Sequence, residues 1–149
     1  MRPVLVDASV WRYFFAGRAT ARPLATLLEE EGIVLAHPLV VGELVLGGLS
    51  LDQERLLQRL PTVERVPYEE VLSFIRRRRL ARRGIGWVDA EIITSGLTSG
   101  AAVWSFDAAV VTVAGELGAA FDAVEEINFR AEEMFSGTGQ PTPLRAAGL

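Results

Sequence analysis

Three short apolar runs, residues 3–6, 33–36 and 101–106, and a weaker one at 63–66, break a chain that otherwise has helical spacing. The helical segments fall at 10–15, 21–31, 39–46, 51–60, 68–83, 88–97 and 108–117. Short apolar strands separated by helices are too far apart to close hairpins, so they pair in parallel, under helices that cover both faces. With a last edge strand at 119–121, the pattern predicts an α/β three-layer domain around a mostly parallel sheet of four to five strands. The domain is expected over 1–134. Residues 135–149 turn to Ser, Gly, Thr, Gln and Pro, which predicts a flexible or partner-dependent tail.

In such a sheet the carboxyl ends of the strands form the binding edge. Asp7 directly follows Pro3-Val4-Leu5-Val6, Asp107 follows Ala101-Ala102-Val103-Trp104-Ser105-Phe106, and Asp89 opens a helix just after Gly84-Ile85-Gly86. The chain has five aspartates, and these three stand at strand or helix ends. Singly, each has a structural reading as a helix cap favoured by the macrodipole. Together, with no lysine anywhere in the chain, they would repel one another unless a cation lay between them. Glu43 is the only charged residue between Gly32 and Asp52, in a helix apolar nearly all round, which predicts a partly buried carboxylate. Its partner is expected to be an arginine or a metal.

Composition narrows the chemistry. The absence of cysteine excludes disulfides, thiolate zinc sites and cysteine nucleophiles, and a single histidine, His37, excludes a multi-histidine cluster. His37, before Pro38, reads as a packed or capping residue. Lack of lysine also removes a P-loop and the phosphatases and receiver domains that need one. A formal charge of −4 gives no global pull on a polyanion, so contact with nucleic acid must come from a local patch or a bound cation. No leader-like segment and no apolar run near the ~20 residues of a membrane span is seen, so a soluble cytoplasmic protein is expected.

Taken in order, Val4-Leu5-Val6-Asp7-Ala8-Ser9, Glu43 behind His37-Pro38, Gly86-Trp87-Val88-Asp89-Ala90 and Val103-Trp104-Ser105-Phe106-Asp107 resemble the acidic motifs of PIN-domain ribonucleases, above all the VapC-type toxins of bacterial toxin–antitoxin pairs. No single motif carries the likeness; the order and spacing over residues 4–121 do. Phe106, where many members have a polar residue, and the length beyond Glu126 depart from the pattern.

The resemblance implies a PIN-like fold and metal-dependent RNA cleavage leaving a 5′-phosphate and a 3′-hydroxyl. Asp7, Glu43, Asp89 and Asp107 are then the catalytic and metal-binding set, Asp7 and Asp107 as direct ligands, Asp89 and Glu43 directly or through water. Ser9 and Ser105 would donate to these carboxylates and fix their rotamers. Carboxylates without His or Cys select Mg²⁺ or Mn²⁺. The segment 76–83 holds six arginines, among which Arg76, Arg77 and Arg83 are candidate RNA contacts; a solvated, ion-paired helix is the bland alternative. A cognate antitoxin and a homodimer through apolar helical surface around residues 49–60 are also implied. The competing reading is a catalytically inactive PIN-like module that binds RNA or a protein partner.

Overall fold

Strand β1 (Val4–Val6) runs through the middle of the protein, with all three residues buried and a parallel neighbour on each side. The computed structural model describes residues 2–123, with Glu125 and Glu132; the expected boundary at 134 and the tail 135–149 lie outside the described residues. Around β1 the chain forms α1 (Ala8–Phe15), α2 (Pro23–Leu28), β2 (Val34–Leu35), α3 (Pro38–Leu46), α4 (Leu51–Gln58), α5 (Tyr68–Arg77), α6 (Trp87–Thr98), β3 (Ala102–Trp104) and α7 (Ala108–Glu116). The sheet order is β2-β1-β3. Each parallel crossover passes through helices, which bury the apolar strands on both faces.

The sheet is narrower than the four to five strands expected. Residues 63–66 form no strand; the predicted third strand is reduced to one bridge, Ala36 to Thr62, and the last edge strand to another, Val103 to Ala120. Glu64 and Arg65 explain the first loss: only Val63 and Val66 of that run are buried, too little apolar surface to hold a full ladder.

Helix α5 also ends sooner than predicted, at Arg77 and not at 83. Arg79 takes a left-handed φ of 53°, while Leu80 N–H donates to Ile75 O at 3.0 Å and Arg79 N–H to Arg76 O at 3.2 Å. This is a Schellman stop with arginine where glycine is usual. Buried Leu80 supplies the reason, since turning the chain carries it into the core beside Ile75. The helix expected at 21–31 is likewise shorter, Pro23–Leu28.

Helix α6 crosses β3 closely at Gly96, where a Cβ would meet Val103 Cγ2 at 2.6 Å. The core gathers Leu5, Val10, Trp11, Leu24, Leu27, Ile92, Ile93 and Val110. Trp11 is fully buried, which makes it a core residue rather than a stacking platform.

Candidate active site

The parallel register pairs Val6 with Trp104, so the next residues of both strands leave the sheet side by side at its carboxyl edge. Asp7 N–H donates to Trp104 O at 2.9 Å, which fixes the two turns against each other. Asp7 then caps α1, its Oδ1 accepting from Ala8 N–H at 2.8 Å. Its Oδ2 accepts from both Ser9 Oγ, 3.0 Å, and Ser105 Oγ, 2.8 Å. Each hydroxyl in turn accepts a backbone amide: Phe106 N–H donates to Ser9 and Asp107 N–H to Ser105, both at 3.0 Å. The two serines therefore staple the β1–α1 turn to the β3–α7 turn and hold one Asp7 rotamer.

Asp107 caps α7 through Oδ1, which accepts from Ala109 and Val110 N–H at 2.9 and 3.3 Å. Asp89 sits in the first turn of α6, and its Oδ2 accepts from Gly86 N–H at 3.0 Å. Burial raises the Asp89 carboxyl above its ordinary value; the Gly86 amide opposes this, and the negative charges of Asp7 and Asp107 add to the rise. These three aspartates thus share one edge, each at the positive end of a helix.

Glu43 is half-buried, as its apolar helix predicts. Its side chain is 41% exposed and lies 3.8 Å from the Arg12 guanidinium on the neighbouring helix α1. The same helix leaves Val45 and Leu46 in solvent, Leu46 at 90%. The partner found is the arginine. Glu43 is not among the charges that raise Asp89.

The arginine segment divides. Arg76 and Arg77 are exposed at the end of α5. Arg83 is held by Glu116 of α7 in a bidentate pair at 2.7 and 2.6 Å, the ion-paired alternative for that residue. His37 is fully buried and caps α3, with Leu39 N–H donating to its Nδ1 at 3.1 Å. The Nε2 proton is thereby left for Ser95 Oγ at 3.2 Å, and burial lowers the ring's pKa.

One buried charge escaped the sequence reading. Glu91, on the far side of α6 from Asp89, is 1% exposed and bound by Arg65 through Nε at 2.7 Å and Nη2 at 3.1 Å. Arg65 holds its carboxyl below the ordinary range against the effect of burial. The signal was available: Glu91 is one turn beyond Trp87 and abuts the apolar Ile92-Ile93.

The three edge aspartates suit a hard cation in donor type, all oxygen, and in the electrostatic stress carried by Asp89. Asp89 gives Oδ2 and Asp107 gives Oδ1 to capping, and each has a second oxygen. Among the described residues, no three His, Cys, Asp or Glu side chains are grouped closely enough to hold an ion as they stand.

A short parallel sheet with acidic residues at its carboxyl edge defines an α/β protein with an acidic site, and comparison with known proteins makes the class specific. The PIN domain family matches residues 4–116, and the chain belongs to that family. It is 37% identical over 131 residues to Ribonuclease VapC32 of Mycobacterium tuberculosis, in two strains, covering 84% of this chain and 99% of that protein. Among solved structures the fold is similar to PAE2754 from Pyrobaculum aerophilum, with a TM-score of 0.59 at 16% identity over 87% of this chain and 96% of that one. It is also similar to FitAcB from Neisseria gonorrhoeae, TM-score 0.53, 20% identity, covering 81% and 98%.

Proposed function

We propose that this protein is a divalent-metal-dependent endoribonuclease that acts as the toxin of a toxin–antitoxin pair. One observation supports the reading: Asp7, Asp89 and Asp107 lie along one sheet edge, and none of them is ion-paired with an arginine among the described residues. The extent of the match to Ribonuclease VapC32 supports RNA as the substrate.

Asp7, Asp89 and Asp107 are the residues that would hold Mg²⁺ or Mn²⁺, with Glu43 at the margin beside Arg12. When bound, such an ion lowers the pKa of a coordinated water and polarises a phosphate oxygen. The chain's own part is orientation. Ser9 and Ser105 keep Asp7 in one rotamer, and the first amides of α7 hold Asp107 in place. Asp89 or Glu43 would orient the attacking water. Arg76 and Arg77 supply exposed positive charge for the RNA backbone.

A cognate antitoxin binds over the acidic edge in this reading. A homodimer forms through the open apolar surface of the α3–α4 hairpin, where Leu46 and Leu51 are 90% and 61% exposed. No described helix is long and apolar enough to cross a membrane.

The test is cleavage of a mixed RNA pool by pure protein with Mn²⁺ and with chelator, beside Asp7→Asn. The reading expects metal-dependent fragments bearing 5′-phosphates, lost in the variant. Equal cleavage by Asp7→Asn, or none by the wild type under any metal, contradicts it. In the latter case the inactive binding module stands.

A further inference from the structure

The loop between α5 and α6 encloses a cavity that the acidic site does not use. Ile75, Leu80 and Ala90 make its apolar floor, while Arg82, Gly86 and Trp87 form an exposed rim. Its volume of about 140 Å³ is well below the ~300–1,000 Å³ of sites for drug-sized ligands. It has room for one ring system and none for a folded segment.

Trp87 is the one tryptophan of three that reaches solvent: it is 38% exposed, whereas Trp11 and Trp104 are 0% and 4%. Its ring stacks on Tyr68, which is 61% exposed, with centroids 5.0 Å apart and planes 25° apart. A stacked aromatic pair left in water at a cavity mouth offers a flat apolar surface to another ring. Arg82, on the same rim, takes a left-handed φ of 64°, a conformation unfavourable for a non-glycine residue that persists where the surroundings enforce it.

Gly86 connects this cavity to the acidic edge. It lines the cavity, and its N–H is the group that Asp89 accepts at 3.0 Å. Trp87 opens the first turn of α6 two residues before Asp89, and its side chain hydrogen-bonds Glu91, so a strand crossing Asp89 reaches the cavity by rounding the start of the helix at Gly86.

We infer that the cavity is a nucleobase subsite. The base of a nucleotide next to the cleaved bond stacks on Trp87, and the Arg82 guanidinium meets that nucleotide's phosphate or base edge. Aromatic stacking accepts every base, so the subsite secures single-stranded RNA more than it selects sequence. The inference rests on the ribonuclease reading and adds a subsite to it.

The test uses Asp7→Asn protein, which binds without cutting, with short single-stranded oligoribonucleotides in Mn²⁺ and again in chelator. Polarisation of a labelled strand reports binding, and contact quenching of tryptophan emission reports Trp87, since burial shields the other two tryptophans from the RNA. RNA is expected to quench the exposed tryptophan, an abasic strand to leave it bright, and Trp87→Phe to remove the quenched component. With the cleavage-competent protein, Trp87→Ala should raise KM about tenfold or more, in line with the loss of one stacked base, and change kcat less. Arg82→Gly, which suits the local backbone, should raise KM with no fall in Tm.

If the wild type cleaves RNA while tryptophan emission is unmoved and Trp87→Ala keeps its KM, the subsite is wrong and the ribonuclease reading stands. If an apolar peptide quenches Trp87 where RNA does not, the cavity belongs to a protein partner and the inference is overturned. If RNA is neither bound nor cleaved, both readings fall.

Discussion

Asp89 and Glu91 stand two residues apart on α6, on opposite sides of the helix, and their carboxyls are shifted in opposite directions. Glu91 is the more buried of the two, yet it is held as an anion because Arg65 grips both its oxygens. Asp89 is half-buried against two more aspartates and has one backbone amide to help it. A carboxylate whose charge is matched within the chain serves the scaffold. One whose surroundings worsen its charge is left for something from outside to satisfy.

The largest effect expected from breaking this contrast is on the edge side. Asp107→Asn should lower RNA cleavage by more than about 100-fold, beyond the ~10–100-fold typical for groups standing behind metal ligands. Asparagine can still cap α7, so circular dichroism should be unchanged. Single-turnover rates on a short RNA decide it, and near-normal cleavage would remove Asp107 from the site.

On the scaffold side, Glu91→Gln should cost about 2 kcal/mol of stability, the scale of hydrogen bonds to a charged group, and leave cleavage per folded molecule unchanged. Urea unfolding beside an active-fraction assay reads both. A stable but inactive Glu91→Gln would erase the distinction between the two faces of α6.

The pH dependence sharpens the comparison further. Glu91, lowered in the fold, contributes stability present at neutral pH and lost as pH falls through its folded value, below 4.5. His37, kept neutral by burial, makes the fold lose stability as pH drops below its ordinary value of 6.5, where the unfolded chain takes up a proton first. Asp89 has the opposite sign: raised above 3.8, it contributes stability at low pH that is lost as pH rises through its folded value. In metal-free buffer Asp89→Asn should therefore be stabler than the wild type at pH 7, with the gap closing in acid. Thermal unfolding across pH 4–8 checks the sign.

The smallest effect belongs to Arg77→Ala. It should weaken RNA binding a few-fold and reduce the salt slope by about one if that residue meets a phosphate. Polarisation titrations at several salt concentrations would show it.

How much of this was legible in the sequence follows from where each signal lies. Asp7 and Asp107 could be read because each ends an apolar run, and Ser9 and Ser105 because they flank those aspartates at short spacing. The parallel β1–β3 register that brings the pairs together is a long-range fact of packing, and its hydrogen bonds span 97 and 98 positions. The half-buried state of Glu43 could be read from its apolar helix, whereas the choice of Arg12 as its neighbour could not, because that contact depends on how α1 and α3 pack. Arginines 76–79 looked like a continuing helix, although Leu80 among them was the residue whose burial stops it. Glu91 was overlooked because its partner Arg65 comes from a segment 26 residues away.

The most direct measurement is the unfolding midpoint of metal-free protein titrated with Mn²⁺, for the wild type and for Asp107→Asn. The account predicts that the wild-type midpoint climbs as the ion relieves the repulsion around Asp89, approaching about 2.7 kcal/mol of added stability at a hundredfold excess over Kd. The variant's midpoint should stay flat. A wild type indifferent to Mn²⁺, or an equal rise in both proteins, would contradict a cation site at this edge.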